Sequence, residues 1–231
     1  MRHNVWKSYA DAPLALRALI ALAVTLAFLL VPAPLDHWTY VHAYRPDLYD
    51  RDWARLLRLV GWWPTWALAT VALWLQRRRA DAALARRQAT LLAASVAAGG
   101  LLCEVMKLLI RRERPDVDAG RWVFRAWSEH TFSTAGLATP SSHTMVAFAA
   151  ATMAARIFPR LRWMFYALAW GCAATRVLSH AHFLSDVTFG AVLGWAVGWA
   201  LWLEWGTQLS GFTAAAGTVW PGGSTPPQSS R

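Results

Sequence analysis

Apolar residues in this chain come in long runs, separated by shorter polar segments that carry most of the arginines. A helix needs about 20 predominantly apolar residues to cross the hydrocarbon core of a bilayer. The pattern predicts six spanning helices at roughly 14–31, 56–75, 90–110, 142–157, 163–178 and 183–205. The fourth and fifth runs are short or polar at one end. We therefore expect an all-α integral membrane bundle of six transmembrane helices, formed by residues 1–206.

The positive charges orient this bundle. The formal charge is +10, but the arginines gather at the ends of apolar runs instead of forming one basic domain, which argues against nucleic-acid binding. The strongest cationic block, residues 77–87, lies between the second and third runs, and the positive-inside rule places it in the cytoplasm. Alternation then predicts a multi-pass inner-membrane protein with both termini in the cytoplasm.

The two ends of the chain differ in character. The first run has no small-residue cleavage site after it, and Pro32 and Pro34 stand where one is expected, so we interpret it as a retained anchor. Residues 207–231 are rich in Gly, Thr, Ser and Pro, which predicts a disordered cytoplasmic tail. In the last run, Gly190, Gly194 and Gly198 have the spacing that lets another helix approach closely, which predicts a central last helix.

Three polar clusters fall at helix ends that the topology places together on the outer face. They are Lys107 with Arg114–Pro115, then Pro140–Ser141–Ser142–His143, and finally Arg176 with His182 and Asp186. Together they supply three fixed cations, two histidines and a carboxylate. This set can hold a phosphoryl group, attack it and protonate the leaving oxygen. A chance motif has no reason to respect membrane sidedness, so we expect one active site at the extracytoplasmic end.

The first two clusters also have simpler interpretations. Lys107 and Arg114 are seven residues apart, which predicts two side chains on one helix face, but a lysine there can also reach for lipid headgroups. Thr139 is expected to cap the fourth helix, so that the amides of Ser141, Ser142 and His143 bind phosphate oxygens. The alternative is a capped helix with an incidental interfacial histidine.

The third cluster is the most specific. Asp186 is one helical turn after His182, so its carboxylate can accept the proton on one ring nitrogen and leave the other free to attack phosphorus. His180, His182 and Asp186 could instead be a metal set. Three converging cations would repel a metal ion and already neutralise the phosphate charge, so we expect neither a metal nor another cofactor.

The segment after the third run is rich in arginine although the topology places it outside. It holds Arg111, Arg112, Arg114, Arg121 and Arg125. Nearby acidic residues offset most of this charge, and the rest predicts that some of these arginines bind an anion. Arg111 or Arg112 could instead do no more than reach the headgroups.

These clusters resemble the three-part signature of the type 2 phosphatidic acid phosphatase superfamily: Lys-x6-Arg-Pro, Pro-Ser-Gly-His and Ser-Arg-x5-His-x3-Asp. The resemblance extends from the third predicted helix to the start of the sixth, as in the membrane-bound bacterial members. Lys107, Arg114 and Pro115 match the first element fully. Ser142 replaces the glycine of the second element, and Thr175 replaces the serine of the third. Neither change removes a charged group that the reaction needs.

The resemblance implies a metal-independent membrane phosphatase, a hydrolase of lipid phosphomonoesters or lipid pyrophosphates. His182 would form a phosphohistidine, oriented by Asp186, while His143 protonates the leaving oxygen and then activates water. The transition state would be stabilised by Lys107, Arg114 and Arg176, together with Ser141 and Ser142.

Two other functions fit the same residues. One is a lipid-linked phosphotransferase, in which an acceptor replaces water at the phosphohistidine. The other is a non-catalytic lipid-phosphate transporter or binding protein, although binding alone gives no role to both histidines. The predicted partners are the bilayer and a membrane lipid phosphate, with no obligate protein partner evident. The residues leave the lipid open, and the candidates for headgroup selection are Arg121, Trp122, Arg125, Trp127 and His130 in the 116–138 loop.

Overall fold

The computed structural model describes residue 27 and residues 30–206 of the chain. The predicted 207–231 tail and nearly all of the predicted first span lie outside the described residues. Over the described part the regular structure is helical, with no β-strand and only two isolated bridges, Arg112 to Phe124 and Glu113 to Leu137. The all-α prediction is confirmed for this part of the chain.

Seven α-helices follow one another within residues 30–206. They are α1 (Asp36–Ala43), α2 (Asp52–Leu59), α3 (Trp63–Arg77), α4 (Ala82–Ile110), α5 (Ser142–Ile157), α6 (Arg162–Leu178) and α7 (Leu184–Leu201). Short 3-10 turns stand at Ala33–Leu35, Leu48–Asp50, Pro115–Val117 and Pro159–Leu161, and one π-helical turn, Trp202–Gly206, continues α7.

Two of these helices are long and apolar enough to cross a membrane alone. They are α4 and the continuous stretch Leu184–Trp205, and α2 with α3 makes a third candidate that is bent by 68°. By contrast, α5 and α6 have 16 and 17 residues, about 24–26 Å of helix. The described residues therefore contain two or three apolar spans where the sequence pattern predicts five.

The bend separates what the hydropathy pattern predicts as one helix over residues 56–75, so that prediction is wrong. Pro64 lies in the first turn of α3, where proline is favoured, whereas within a continuous helix it would remove a backbone hydrogen bond. At Gly61, within the break, a Cβ would lie 2.5 Å from the backbone oxygen of His143 and 2.8 Å from Cys172 Sγ. Glycine therefore lets the bend pack directly on α5 and α6, beside one of the predicted site histidines.

The centre of the bundle is α5, in which 13 of 16 residues are buried. It packs against α4, α6 and α7. The last helix was predicted to be central, but it is α5's neighbour instead. The predicted close approach of another helix to the glycine face of α7 is confirmed, because a Cβ at Gly194 would lie 2.3 Å from the backbone oxygen of Met145.

Replacing Gly194 by alanine is expected to destabilise the protein by about 1–3 kcal/mol, because the α5 and α7 backbones must move apart. Gly100→Ala is a matched control in α4, since its Cβ would meet nothing closer than Val146 Cγ2 at 3.9 Å. Thermal unfolding in detergent measures both variants. Equal melting temperatures for the two variants would contradict the close contact at Gly194.

Candidate active site

The predicted clusters meet at one end of the bundle. Lys107 lies in the last turn of α4 and Arg176 in the last turn of α6, while His143 lies in the first turn of α5 and His182 just before α7. The start of α5 is tied to the start of α7 by the Ser141 amide, which donates to the backbone oxygen of Asp186 over 3.2 Å. Packing of helix ends thus assembles residues that lie up to 79 positions apart, from Lys107 to Asp186.

His182 is buried and held in one orientation. Its Nδ1 lies 2.9 Å from the backbone oxygen of Ala138, and its own amide donates to the backbone oxygen of Arg176 over 3.2 Å. A carbonyl oxygen can only accept, so this contact requires the proton on Nδ1 and leaves a lone pair on Nε2. An imidazole in this tautomer has the nucleophilic nitrogen that attack on phosphorus needs.

The surroundings of His182 also favour its neutral form. Burial, followed by the positive charges of Arg176, Lys107 and Arg114, holds the pKa of His182 well below the usual 6.5, while the hydrogen bond to Ala138 acts in the opposite direction. The same three cations act electrostatically on His143, together with Arg58. The same three cations therefore influence both imidazoles, as two histidines that act on one phosphate would require.

The partner of Asp186 differs from the prediction. Asp186 Oδ2 is 3.8 Å from His182 Nδ1, further than the Ala138 oxygen, and it accepts the Phe183 amide at 2.8 Å. The other carboxylate oxygen, Oδ1, accepts hydrogen bonds from the Arg112 guanidinium and the Thr139 hydroxyl. Asp186 therefore caps the first turn of α7 and pairs with a buried arginine. The carbonyl of Ala138 takes the orienting role that the sequence assigned to Asp186.

Arg112 joins two buried carboxylates. Besides Asp186, it lies 3.8 Å from Asp36 Oδ2 and donates to Ser185 Oγ at 2.8 Å and Thr139 Oγ1 at 2.6 Å. Its exposed fraction is only 1%. The alternatives for Arg112 of anion binding or headgroup contact are therefore wrong, since its guanidinium is enclosed by protein.

Asp36, at the start of α1, completes this network. Its carboxylate accepts hydrogen bonds from the Ser185 amide at 2.8 Å, the Ser185 hydroxyl at 2.5 Å and Trp122 Nε1 at 3.0 Å. Burial raises the pKa of Asp36, while the Ser185 hydrogen bonds and Arg112 oppose that rise. The network fastens α1 and the 111–141 segment to the turn that carries His182.

Lys107 forms a second polar cluster with Ser142 and Glu104. The Lys107 ammonium donates to Ser142 Oγ at 2.5 Å and to Glu104 Oε1 at 3.2 Å, and Ser142 Oγ lies 3.2 Å from the same carboxylate oxygen. Lysine carries three donor hydrogens, so one remains for a phosphate oxygen. Ser142, one of the two departures from the family pattern, thus adds a hydroxyl that contacts Lys107.

Arg176 is buried and held on one side by Tyr49. The Arg176 Nη1 donates to Tyr49 Oη at 2.7 Å, and Tyr49 Oη lies 3.3 Å from both the Thr175 oxygen and Ser179 Oγ. The Arg176 Nε is buried without a hydrogen-bond partner within the described part of the chain. A buried donor without a partner is rare, and a bound anion would satisfy it.

Two local predictions at the helix ends are wrong. Helix α4 ends at Ile110, and Arg111 adopts a left-handed conformation with φ 58°, so Lys107 and Arg114 do not share a helix face. Arg114 is extended and exposed. Thr139 does not cap α5, because Ser141 is the N-cap and Thr139 contacts Asp186 instead. The Ser141 amide is also occupied, which leaves the Ser142 and His143 amides of the first turn to face an anion.

The remaining candidates in the 111–141 segment have mixed roles. Arg111 is buried and donates to the backbone oxygens of Arg125, Thr131, Ala126 and Glu129. Arg125 forms an ion pair with Glu113 at 2.8 Å, and Trp122 Nε1 donates a hydrogen bond to the Asp36 carboxylate. These three side chains therefore hold the segment together. Of the residues suggested for headgroup selection, all but Arg125 are exposed: Arg121, Trp122, Trp127 and His130.

The side chain of His180 packs against α1 and the residue after it, and not beside His182. Its ring is stacked against Tyr40 and Tyr44, with centroid distances of 4.1 and 4.0 Å, and its Nε2 lies 2.7 Å from the backbone oxygen of Tyr40. No group of three or more His, Cys, Asp or Glu side chains within residues 30–206 is arranged to hold a metal ion. The alternative metal set of His180, His182 and Asp186 is not assembled.

An apolar cavity of about 570 Å³ leads away from the site between α3, α4 and α5. Its polar end is formed by Glu104, Ser142 and His143. Apart from Thr70, the rest of the wall is apolar and aromatic, including Trp62, Trp63, Trp66, Ala93, Val96 and Val146. The cavity therefore offers an apolar surface next to a histidine and the partners of the site lysine.

The family model of the PAP2 superfamily, the type 2 phosphatidic acid phosphatases, matches residues 88–209, just over half of the chain. The chain belongs to the PAP2 superfamily. The matched region contains every site residue predicted from the sequence, and it confirms the resemblance.

Two bacterial relatives are named Lipid A 1-phosphatase. The protein from Rhizobium etli is 37% identical over 107 residues, which cover 46% of this chain and 44% of the relative. The protein from Rhizobium johnstonii is 37% identical over 102 residues, which cover 43% and 41%. Each match thus spans less than half of the relative's length. No solved structure gives a significant match.

Sequence reasoning missed four side chains that shape this PAP2 site: Asp36, Tyr49, Glu104 and Arg112. Asp36 and Tyr49 lie outside the region that matches the family, so no motif points to them. Glu104 did give a signal, since a carboxylate inside an apolar run is a candidate functional residue. Arg112 was noticed only as part of an arginine excess.

Proposed function

We propose that this protein is a membrane-bound phosphatase that hydrolyses lipid phosphates through a phosphohistidine formed on His182. The observation that carries the proposal is the orientation of His182, whose Nδ1 faces the Ala138 oxygen at 2.9 Å while Arg176, Lys107 and Arg114 act on its ring. A buried neutral imidazole amid three cations suits attack on a phosphate dianion. Membership of the PAP2 superfamily and the names of the relatives support the reaction class.

The proposed reaction has two balanced steps. His182 Nε2 attacks phosphorus, the bond from phosphorus to the leaving oxygen breaks, and His143 gives its proton to that oxygen. The bound phosphate dianion favours the protonated form of His143 before this step. His143 then takes a proton from water, the water oxygen attacks phosphorus, and the bond from phosphorus to His182 breaks. Inorganic phosphate leaves, and both histidines return to their starting states.

Stabilisation of the transition state falls to the cations and the amides. Lys107 has one donor hydrogen left, and Arg176 Nε has no partner among the described residues, so both can bind equatorial phosphate oxygens. Arg114 lies at the exposed rim, and the first-turn amides of Ser142 and His143 add donors at the positive end of α5. Asp186 would act indirectly, by fixing the first turn of α7. These fixed charges perform the neutralisation that a metal ion would otherwise supply.

The proposed location is the inner membrane, with several passes and the site on the outer face. The cationic block at residues 77–87 and the convergence of the site residues at the opposite end of α4 support this orientation. Six spans and cytoplasmic termini follow if the predicted first run also crosses. The apolar cavity beside His143 would hold the part of the lipid next to its phosphate, while the tails stay in the bilayer.

The substrate class is tested by phosphate release from purified protein in detergent. We expect release from lipid phosphates, with lipid A 1-phosphate as the first lipid to test because of the relatives' names, and no loss of activity with a chelator such as EDTA. The comparison lipids are phosphatidate, phosphatidylglycerol phosphate and undecaprenyl pyrophosphate. Transfer of radiolabelled phosphate to a second lipid would indicate a phosphotransferase, and intact lipid moving between leaflets without hydrolysis would indicate a transporter. Either result would contradict the proposal.

A further inference from the structure

Glu104 stands at the junction of the proposed phosphate site and the apolar cavity. It lies one turn before Lys107 in α4, and its Oε1 accepts from the Lys107 ammonium while Ser142 Oγ lies 3.2 Å from it. Its side chain is 44% exposed, whereas that of Lys107 is 9% exposed. Among the described residues that line the cavity, Glu104 alone carries a carboxylate. A partly exposed carboxylate thus lies where the proposed phosphate site meets the apolar cavity.

The position of Glu104 relative to His143 determines what it can touch. His143 lines the same end of the cavity and is the proposed acid for the leaving oxygen. The group that leaves must therefore extend from His143 into the cavity, past Glu104 and Ser142. A negative charge on that group would meet the Glu104 carboxylate, while an uncharged group would not.

We propose that Glu104 is a specificity-determining residue that disfavours lipid pyrophosphates and favours lipid monophosphates. This inference rests on the proposed function. In a pyrophosphate, attack on the terminal phosphorus makes the leaving group a lipid monophosphate, whose negative charge lies on the cavity side. The Glu104 carboxylate would repel the pyrophosphate, whereas the site cations attract the phosphate groups of both substrates. Specificity often depends on such a repulsive element as well as on attraction. In a monophosphate the leaving group is an uncharged alcohol, which Glu104 tolerates or binds through a hydroxyl.

The test compares farnesyl monophosphate and farnesyl pyrophosphate, which share one tail, by orthophosphate release from the full-length protein. Wild type is expected to have the higher kcat/KM on the monophosphate. Glu104→Gln keeps the Oε1 acceptor for Lys107 and Ser142 but removes the charge. It is expected to raise the relative kcat/KM on the pyrophosphate by about tenfold. Glu104→Asp keeps the charge and should retain most of the wild-type preference.

The matched control is Asp52→Asn, which removes one negative charge from an i,i+3 pair with Arg55 on the surface of α2. It should leave the substrate ratio unchanged. If Glu104→Gln lowers kcat/KM equally on both substrates, Glu104 only positions Lys107, and the inference is overturned. An unchanged ratio of the two kcat/KM values would overturn it as well. If wild type releases phosphate from neither farnesyl substrate nor any lipid of the panel above, the proposed function itself fails. The two failures are therefore distinguishable.

Discussion

Replacing His182 by glutamine is expected to lower phosphate release from lipid phosphates by on the order of 10³-fold or more, because it removes the nucleophile. Glutamine is similar in size and can still donate a hydrogen bond to the Ala138 oxygen, so the fold should survive. The loss should appear in kcat, since the cations that bind the phosphate remain. Steady-state phosphate release, with folding checked by size-exclusion chromatography and thermal unfolding, measures the effect.

A phosphorylated intermediate gives a second measurement for the same variant. Rapid quenching of wild type with a ³²P-labelled lipid phosphate should trap acid-labile label on the protein, and His182→Gln should trap none. The exposed His42 in α1 supplies the control, since His42→Gln removes an imidazole far along the chain from the proposed site residues. If His182→Gln keeps activity within tenfold of wild type, phosphate is not transferred to this histidine.

The sequence predicts those features of the site that depend only on which residues lie at the ends of the helices. Hydropathy predicted most of the long helical segments, the arginine pattern predicted which helix ends share one side, and the residue types at those ends indicated phosphate chemistry. Lys107, His143 and His182 therefore converge as expected. What could not be predicted is how each polar group is satisfied in three dimensions. Spacing along a helix made His182 the obvious partner of Asp186, whereas the fold brings a guanidinium 74 residues away to the same carboxylate.

The fold could be predicted in class but not in arrangement. The break between α2 and α3 lies inside a hydropathy run, because Gly61 and Pro64 interrupt the helix without interrupting its apolar character. The central position of α5 agrees with its composition. The helix is apolar or small on nearly every face, and such a helix is buried. Its short length is tolerated since neighbouring helices, and not lipid, surround it.

Replacing Arg112 by methionine is expected to destabilise the protein by about 3–5 kcal/mol, because it leaves Asp36 and Asp186 buried without their cation. The turn that carries His182 depends on the same network, so the folded fraction should also lose activity. Arg121→Met is the matched control, since Arg121 lies in the same segment but is exposed. Thermal unfolding in detergent compares the two variants, and phosphate release by Arg112→Met is compared with wild type because Arg121 is itself a candidate for headgroup selection.

The double variant Asp36→Asn with Arg112→Met distinguishes the effect of an unpaired buried charge from the effect of the altered side-chain packing. If the main defect of Arg112→Met is an uncompensated buried carboxylate, removing one of the two carboxylates should recover part of the lost stability, and the two substitutions should be strongly non-additive. Asp36→Asn alone should be destabilising, because it leaves Ser185 and Trp122 with a weaker acceptor. Additive effects, or an Arg112→Met protein as stable as Arg121→Met, would show that the buried ion network does not hold the His182 turn in place.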